Sequence, residues 1–288
     1  MDRFDWLELD EGAMRDAIAQ RQPWAAALRQ APKDGPTFYR AARKMREAGH
    51  FRAAAAYYEK AIGFEDQHYP ARAELIDTLV RAHHIEEADR RSYEALDAYR
   101  QVRIFYASRA LVLAHLGKLD EAYPLSTVSI EGDPKAWYAR CVRAELLLKT
   151  SKENRVEALD LLEDAADQGK DLWECHFIGG CILLDAGWPA LAAGYFSEAA
   201  HHSPRAAISW ICLGDCFHAL RLYPQAMFYY QKAIEVEPKH ELALERQKRC
   251  APSIFGLIRV FQRDRLLKRW NKEFEKLINK QEPTVDDF

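Results

Sequence analysis

The stretch AISWICLGDCFHALRLYPQAMFYYQKAIEVEPKH, residues 207–240, contains the pattern that decides the fold. Its apolar residues recur at helical spacing on both sides of a short break, which predicts a helix, a turn and a second helix. The same pattern recurs with a period of 34 residues, and the fourth unit has two extra residues in its polar turn at 149–155. The six predicted units are 35–68, 69–102, 103–136, 137–172, 173–206 and 207–240.

Small side chains occupy two positions of every unit. A small residue lets two antiparallel helices approach closely, whereas a larger side chain would hold their axes apart. The pattern therefore predicts an all-α fold of six helical hairpins. The first of the two positions is alanine throughout: Ala54, Ala88, Ala122, Ala158, Ala192 and Ala226. The second is alanine or serine: Ala61, Ala95, Ser129, Ala165, Ala199 and Ala233.

The last unit resembles the tetratricopeptide repeat family. The resemblance implies a right-handed α-solenoid of helix-turn-helix repeats, whose first helices line a concave groove, and it implies no catalytic chemistry. Earlier units are looser, and Ser92 and Ser126 replace the aromatic residue of the second helix in two of them. The residues that carry the resemblance are Trp210, Leu213, Gly214, Phe217, Ala226, Tyr230, Ala233 and Pro238, with Gly180, Ala192, Phe196, Ala199 and Pro204 in the preceding unit.

Both ends of the chain depart from the repeat, as the ends of a stacked array must, because a terminal unit has no neighbour on one side. Residues 1–34 keep the register in part, but Pro23 breaks the expected helix, so this segment is predicted to be a degenerate capping repeat. Residues 241–252 are predicted to form a C-terminal capping helix that ends before Pro252.

Residues 253–288 are predicted to form an amphipathic basic helix and a short acidic tail. The helix can pack on the repeats, dock on a partner or on a second copy of the chain, or lie on an anionic membrane surface. Its apolar face consists of Leu266, Leu267, Trp270, Phe274, Leu277 and Ile278.

Matching each first helix to the concave face of the family implies a set of groove residues. Their chemistry suits an extended or helical peptide with apolar anchors and an acidic end near Arg43, Arg46 and Arg81. The carboxylate clamp of chaperone-binding repeats is absent, because its positions hold Tyr39, Arg43, Asp77 and Ala107. The implied set is Tyr39, Arg43, Arg46, Asp77, Arg81, Leu111, His115, Tyr138, Cys141, Glu145, Phe177, Cys181, Asp185, Ile211, Asp215 and His218.

Composition and motifs argue against several other classes of function. A net charge of −3 gives no general electrostatic attraction for nucleic acid. The acidic amino terminus lacks a secretory signal and no apolar run reaches the length of a bilayer span, so a cytoplasmic location is predicted. No phosphate-binding loop, zinc-protease motif or nucleophile elbow occurs, so we expect no catalytic residues and no cofactor.

The thiols and tandem histidines have a plain structural interpretation. Cys212 and Cys216 lie between the packing positions of one helix and are expected to be semi-buried, reduced thiols. The pairs at 83–84 and 201–202 lie at predicted helix ends and turns, and neither has the further ligands that a metal site requires.

These observations predict a non-catalytic protein–protein interaction module, an adaptor or assembly scaffold that holds a peptide or protein segment in its groove. The alternative is a scaffold that self-assembles or lies on a membrane surface through the C-terminal amphipathic helix.

Overall fold

The computed structural model describes residues 33–131, 136–150 and 152–250, and every regular element among them is a helix. The all-α prediction is therefore confirmed. A 3₁₀ turn at Lys152–Asn154 joins α7 to α8, within the polar run that holds the two extra residues. The α-helices are α1 (Gly35–Glu47), α2 (Phe51–Phe64), α3 (Tyr69–Arg81), α4 (Ile85–Ala98), α5 (Ile104–His115), α6 (Leu119–Ile130), α7 (Trp137–Thr150), α8 (Arg155–Gln168), α9 (Trp173–Asp185), α10 (Pro189–His202), α11 (Ala207–Ala219), α12 (Tyr223–Val236) and α13 (Glu241–Arg249).

Two predictions fall on residues beyond these ranges. Almost all of the predicted N-terminal capping repeat lies outside the described residues, and so does the predicted amphipathic helix with Leu266, Leu267, Trp270, Phe274, Leu277 and Ile278. In the described part of the chain, no helix is long and apolar enough to cross a bilayer.

The odd-numbered helices from α1 to α11 are the first helices of the hairpins, and the turns that follow five of them contain a left-handed residue. Gly49, Gly117 and Gly187 have φ angles of 82°, 75° and 83° at this turn. Glycine adopts such angles without steric cost, whereas His83 and Arg221 adopt φ of 60° at the equivalent position of two other hairpins.

Backbone hydrogen bonds close these turns in the same way. In the α9–α10 turn, Gly187 donates its N–H to the carbonyl of Leu184, and Trp188 donates to the carbonyl of Leu183. The α11–α12 turn repeats both bonds, from Arg221 to His218 and from Leu222 to Phe217. The pattern satisfies carbonyls at the end of the first helix and fixes the direction in which the second begins.

The two small-residue positions of the repeat lie in the core. All six alanines of the first position have no exposed surface, and the alanines and serine of the second position are buried as well. Larger residues at these positions would separate the helices, which accounts for the small side chains that the sequence places there.

The hairpins α9–α10 and α11–α12 set a glycine of the first helix against an aromatic ring of the second. A methyl group added to Gly214 would lie 2.5 Å from the ring of Tyr230, and one added to Gly180 would lie 2.8 Å from the ring of Phe196. Real Cβ atoms do not come so close, so glycine is the residue that allows the ring to pack there.

The described residues divide into two compact units between Val128 and Ser129. The N-terminal unit contains α1 to α5 and most of α6, and the C-terminal unit contains α7 to α13. The sequence register does not predict this division, because the 34-residue repeat continues across it.

Candidate functional site

The residues implied for the groove lie on first helices, and we define one face in each unit. The N-terminal face lies on α1, α3 and α5, and its members are Tyr39, Arg43, Arg46, Asp77, Arg81, Leu111 and His115. The C-terminal face lies on α7, α9 and α11, and its members are Tyr138, Cys141, Glu145, Phe177, Cys181, Asp185, Ile211, Asp215 and His218.

Glu74 joins three helices beneath the N-terminal face. Its carboxylate accepts hydrogen bonds from the hydroxyl of Tyr39 on α1 at 2.7 Å and from the hydroxyl of Tyr58 on α2 at 2.6 Å. Burial and the neighbouring Glu74 carboxylate raise the pKa of both tyrosines, so they remain neutral donors. This arrangement fixes the ring of Tyr39 on the face.

Arg46 is held inside the protein, not on the open surface. It is 4% exposed, with its Nη1 3.7 Å from Glu74 Oε2 and its Nη2 3.9 Å from Asp77 Oδ2. Burial opposes its charge, but Tyr58, Asp77 and Glu74 outweigh this effect and raise the pKa of the guanidinium. Arg46 therefore supports the face from inside the protein. It is not accessible to an acidic ligand group, contrary to what the sequence suggested.

Arg43 is the accessible cation of this cluster. Its side chain is 40% exposed and its Nε lies 3.8 Å from Glu74 Oε2. Arg81 lies 3.5 Å from Asp77 through its Nη2, and its side chain is mostly buried. The structure therefore brings five of the predicted residues together. Tyr39, Arg43, Arg46 and Arg81 surround the carboxylates of Glu74 and of the fifth, Asp77.

The remaining two members of the N-terminal face differ from each other. Leu111 is fully buried, so it contributes to the packing of α5 and offers no accessible anchor. His115, in the last turn of α5, is half-buried.

The C-terminal face has buried apolar members, which contribute to packing, and a polar rim. Cys141, Phe177 and Ile211 are at most 2% exposed, and each lies on a different first helix. Asp185 and His218 are exposed near the ends of α9 and α11, while Tyr138 and Cys181 are half-buried. Glu145 is buried, and Lys149 Nζ lies 3.6 Å from its carboxylate.

Asp215 links this face to α12 and α13. Its Oδ1 accepts a hydrogen bond from the hydroxyl of Tyr230 at 2.6 Å and lies 3.1 Å from Arg246 Nε. Burial raises the pKa of Asp215, while the Tyr230 hydrogen bond and Arg246 act in the opposite direction. The carboxylate is therefore fixed in place by two neighbouring helices.

Cys212 and Cys216 are poorly suited to nucleophilic chemistry. A side-chain hydrogen bond with Cys181, together with burial, raises the pKa of Cys212. Burial and the nearby Asp215 carboxylate raise the pKa of Cys216. Because the thiolate is the reactive form of cysteine, both groups are kept in the unreactive form at neutral pH.

Sequence reasoning missed four residues that hold these faces: Glu74, Tyr58, Tyr230 and Arg246. Tyr58 and Tyr230 occupy the aromatic position of the repeat, and the repeat pattern assigns this position only a packing role. The hydroxyl group was the available signal for a polar contact, since Phe196 fills the same position without one. Arg246 lies on α13, where only a cap was expected.

Buried charge in the described residues is confined to first helices. The second helices are the even-numbered helices from α2 to α12. They bury neutral polar groups such as Ser92, Ser126 and Gln225. The first helices bury Arg46, Glu47, Asp77, Arg143, Glu145 and Glu174.

The histidine pairs lie at helix ends. His83 occupies the left-handed turn before α4 and His84 caps that helix, while His201 and His202 end α10. Within residues 33–131, 136–150 and 152–250, no group of three or more histidine, cysteine or acidic side chains is arranged to hold a metal ion.

Several solved structures are similar to this chain. The tetratricopeptide repeat protein YrrB, described as having an unusual peptide-binding site, is 18% identical, with a TM-score of 0.40 over 79% of this chain and 99% of that one. A tetratricopeptide repeat protein from Parabacteroides merdae is 16% identical, with a TM-score of 0.47 over 82% and 93%. A thermophilic tetratricopeptide repeat protein from Thermus thermophilus is 15% identical, with a TM-score of 0.44 over 75% and 98%.

A search of curated protein sequences gives no match. Residues 207–240, however, match the sequence model of the tetratricopeptide repeat. This segment is the hairpin α11–α12, in which Gly214 packs against Tyr230. The resemblance predicted from its sequence is confirmed, and residues 207–240 of this chain are a tetratricopeptide repeat.

Proposed function

We propose that this chain is a non-catalytic interaction module of the cytoplasm, which binds protein or peptide segments on the first-helix faces of its hairpins. The observation that supports the proposal is the confinement of buried Asp, Glu and Arg side chains, among the described residues, to first helices. Tetratricopeptide repeats are protein-interaction modules, and this distribution of charge suits such a role.

Buried ion pairs contribute little to the stability of a fold, because desolvation offsets most of their attraction. Neutral serine and glutamine suffice on the second helices, so packing alone does not require charge in the repeat. On the first helices the buried Arg46 lies 3.7 Å from the partly exposed Glu74, whose carboxylate lies near Arg43 and accepts a hydrogen bond from Tyr39. A pre-organised polar surface of this kind lowers the cost of binding a ligand.

The two faces suit different ligand groups. On the N-terminal face, the partly exposed Arg43 beside Tyr39 suits a carboxylate next to an aromatic or aliphatic side chain. On the C-terminal face, the exposed Asp185 carboxylate suits a basic residue of the ligand.

Affinity purification of the full chain at native expression, followed by quantitative mass spectrometry, tests the proposal. The variants Arg43→Glu and Asp185→Lys reverse one accessible charge on each face. The matched controls are Arg90→Glu on α4 and Glu198→Lys on α10, which reverse exposed charges on second helices. We expect each face variant to lower the recovery of at least one partner by about tenfold, as the loss of a charge-assisted contact implies.

Equal recovery from the face variants and their controls would contradict binding at these residues. Circular dichroism of each purified variant shows that a lost partner does not result from unfolding.

A further inference from the structure

A cavity lies between α2, α3 and α4 in the N-terminal unit. Its volume is about 300 Å³, which is at the lower end of the range for small-ligand sites. Leu75, Ile76 and Ala95 line its inner wall and are buried, so the groups that a ligand would reach are mainly polar. The residues that line the cavity are different from the members of the N-terminal face. The cavity is therefore a separate site to be considered on its own chemistry.

Two ion pairs lie in the wall of this cavity. Arg91 of α4 donates a hydrogen bond from Nη2 to Glu59 Oε1 of α2 at 2.5 Å. Arg72 of α3 pairs with Asp66, which follows α2. A hydrogen bond from Tyr99 and the charge of Arg72 lower the pKa of Asp66, so its carboxylate is ionised at neutral pH. A guanidinium has more N–H donors, and a carboxylate more acceptor positions, than these bonds use, so both pairs can bind a further group.

Gly63, in the last turn of α2, leaves space at the wall of the cavity. Its φ is outside the left-handed region, and nothing lies within 4 Å of a Cβ added to it. Neither the backbone nor a close neighbour therefore requires glycine at this position. A long side chain here would occupy space that a ligand needs. The equivalent position of every other repeat has a side chain: Asp97, Glu131, Asp167, His201 and Glu235.

The charges in the wall favour a ligand that carries both signs. A ligand with one charge meets an attracting and a repelling group in each ion pair, and these groups are only 2.5 Å apart between Arg91 and Glu59. A zwitterion can direct its carboxylate to a guanidinium and its ammonium group to a carboxylate. The Arg91 side chain is 32% exposed against 19% for Arg72, and that of Asp66 is 78% exposed against 45% for Glu59. Arg91 and Asp66 are thus the most accessible group of each sign.

We propose that this cavity binds a free α-amino acid, with the carboxylate of the ligand on Arg91 and its ammonium group on Asp66. The small volume matches a ligand of this size and not a folded partner. The inference goes beyond the proposed function, because the site shares no residue with either first-helix face.

Ligand-observed NMR of the full chain, with each standard amino acid titrated to about 10 mM, tests the proposal. We expect at least one of them to bind with a dissociation constant below about 1 mM. Gly63→Leu should weaken this binding by about tenfold or more, because the new side chain occupies the cavity. Leucine also has a higher helix propensity than glycine, so the substitution is compatible with α2.

Gly194→Leu in α10 is the matched control. Gly194 is also a helical glycine with nothing within 4 Å of an added Cβ, but it lies in the C-terminal unit. Its substitution should leave the affinity for the amino acid unchanged. Circular dichroism of both variants shows whether the helices are retained.

The charges of the site are tested separately. Arg91→Gln and Asp66→Asn should each weaken binding by about tenfold, as the loss of one charge-assisted contact implies. Arg90→Gln removes the exposed neighbouring charge on α4 and should have no effect. The amide and the N-acetyl derivative of the bound amino acid lack its negative and its positive charge respectively, and each should bind about tenfold more weakly than the zwitterion.

The proposal is overturned if none of the standard amino acids gives saturable binding, or if Gly63→Leu binds as tightly as the natural chain. Equal binding of the zwitterion and its singly charged derivatives would also overturn it. If Gly63→Leu loses helical structure, the two charge variants decide the outcome in its place. These experiments use no protein partner, so their failure leaves the partner-recovery experiment unaffected.

Discussion

The hairpins α11–α12 and α3–α4 occupy equivalent intervals of the repeat but fill their cores differently. In α11–α12, Gly214 of the first helix faces the ring of Tyr230. In α3–α4, the equivalent positions hold Ile76 and Ser92, and both are buried. The large side chain has thus moved from the second helix to the first.

A further side chain reaches the α3–α4 hairpin. Arg109 of α5 donates a hydrogen bond to Ser92 Oγ at 3.0 Å, and the same guanidinium pairs with Asp89. A serine in place of the aromatic ring is therefore compensated from two neighbouring helices. The comparison shows that the repeat is specified by pairs of side chains whose sizes fit together, and that one position alone is a poor guide to the fold.

Ile76→Ala should have the largest effect. It removes the large member of the pair in α3–α4, where Ser92 cannot fill the space, so we expect a loss of about 2–4 kcal/mol in the free energy of unfolding. Urea denaturation measures it. A loss below about 1 kcal/mol would mean that the hairpin closes around the cavity and that the pair is not what specifies it.

Gly214→Ala tests the opposite arrangement. The new methyl group would lie 2.5 Å from a ring that Asp215 holds by a hydrogen bond, so we expect a loss of about 1–3 kcal/mol from overpacking. Gly194→Ala in α10 is the matched control, because nothing lies within 4 Å of the added atom. It should gain about 0.5–1 kcal/mol from helix propensity, and equal effects of the two substitutions would contradict the packing argument.

Tyr230→Phe keeps the ring against Gly214 and removes the hydrogen bond to Asp215. We expect a loss of about 1–2 kcal/mol at neutral pH. Burial holds the pKa of Asp215 above its ordinary value, and loss of the Tyr230 donor raises it further. A carboxyl group whose pKa is higher in the folded state than in the unfolded state stabilises the folded state at low pH. This stabilisation is lost as the pH rises. The deficit of the variant should therefore shrink between pH 7 and pH 4, which urea denaturation at both pH values would reveal.

Arg221→Gly should have the smallest effect of the four, and it is stabilising. Arg221 has φ of 60° where other hairpins have glycine, so removing its side chain should gain about 1 kcal/mol. The converse change at the same turn position, Gly187→Arg, should lose about the same amount, because Gly187 has φ of 83°. Thermal unfolding of both variants provides the comparison, and two changes of the same sign would contradict it.

The sequence was sufficient for the helical hairpins and for the tetratricopeptide repeat at 207–240, because Gly214, Tyr230 and the alanine positions combine in a recurrent pattern. It was less informative about accessibility. The repeat register places Arg46 and Leu111 on the first-helix faces, but burial depends on neighbouring helices that a single register position does not describe.

The polar contacts beneath the faces could not be predicted either. Glu74 meets Tyr39 and Tyr58 because three helices converge, and no spacing along one helix contains that information. The division between Val128 and Ser129 has no signature in the repeat, because it reflects the density of contacts between hairpins and not the pattern within them.

Hydrogen exchange of the full-length protein, with and without the partner recovered at native expression, tests the central claim that first helices carry the binding surface. The account predicts slower amide exchange on partner addition in α1 and α3 or in α7, α9 and α11, with the even-numbered helices unchanged. Protection confined to second helices such as α4 or α10 would contradict it.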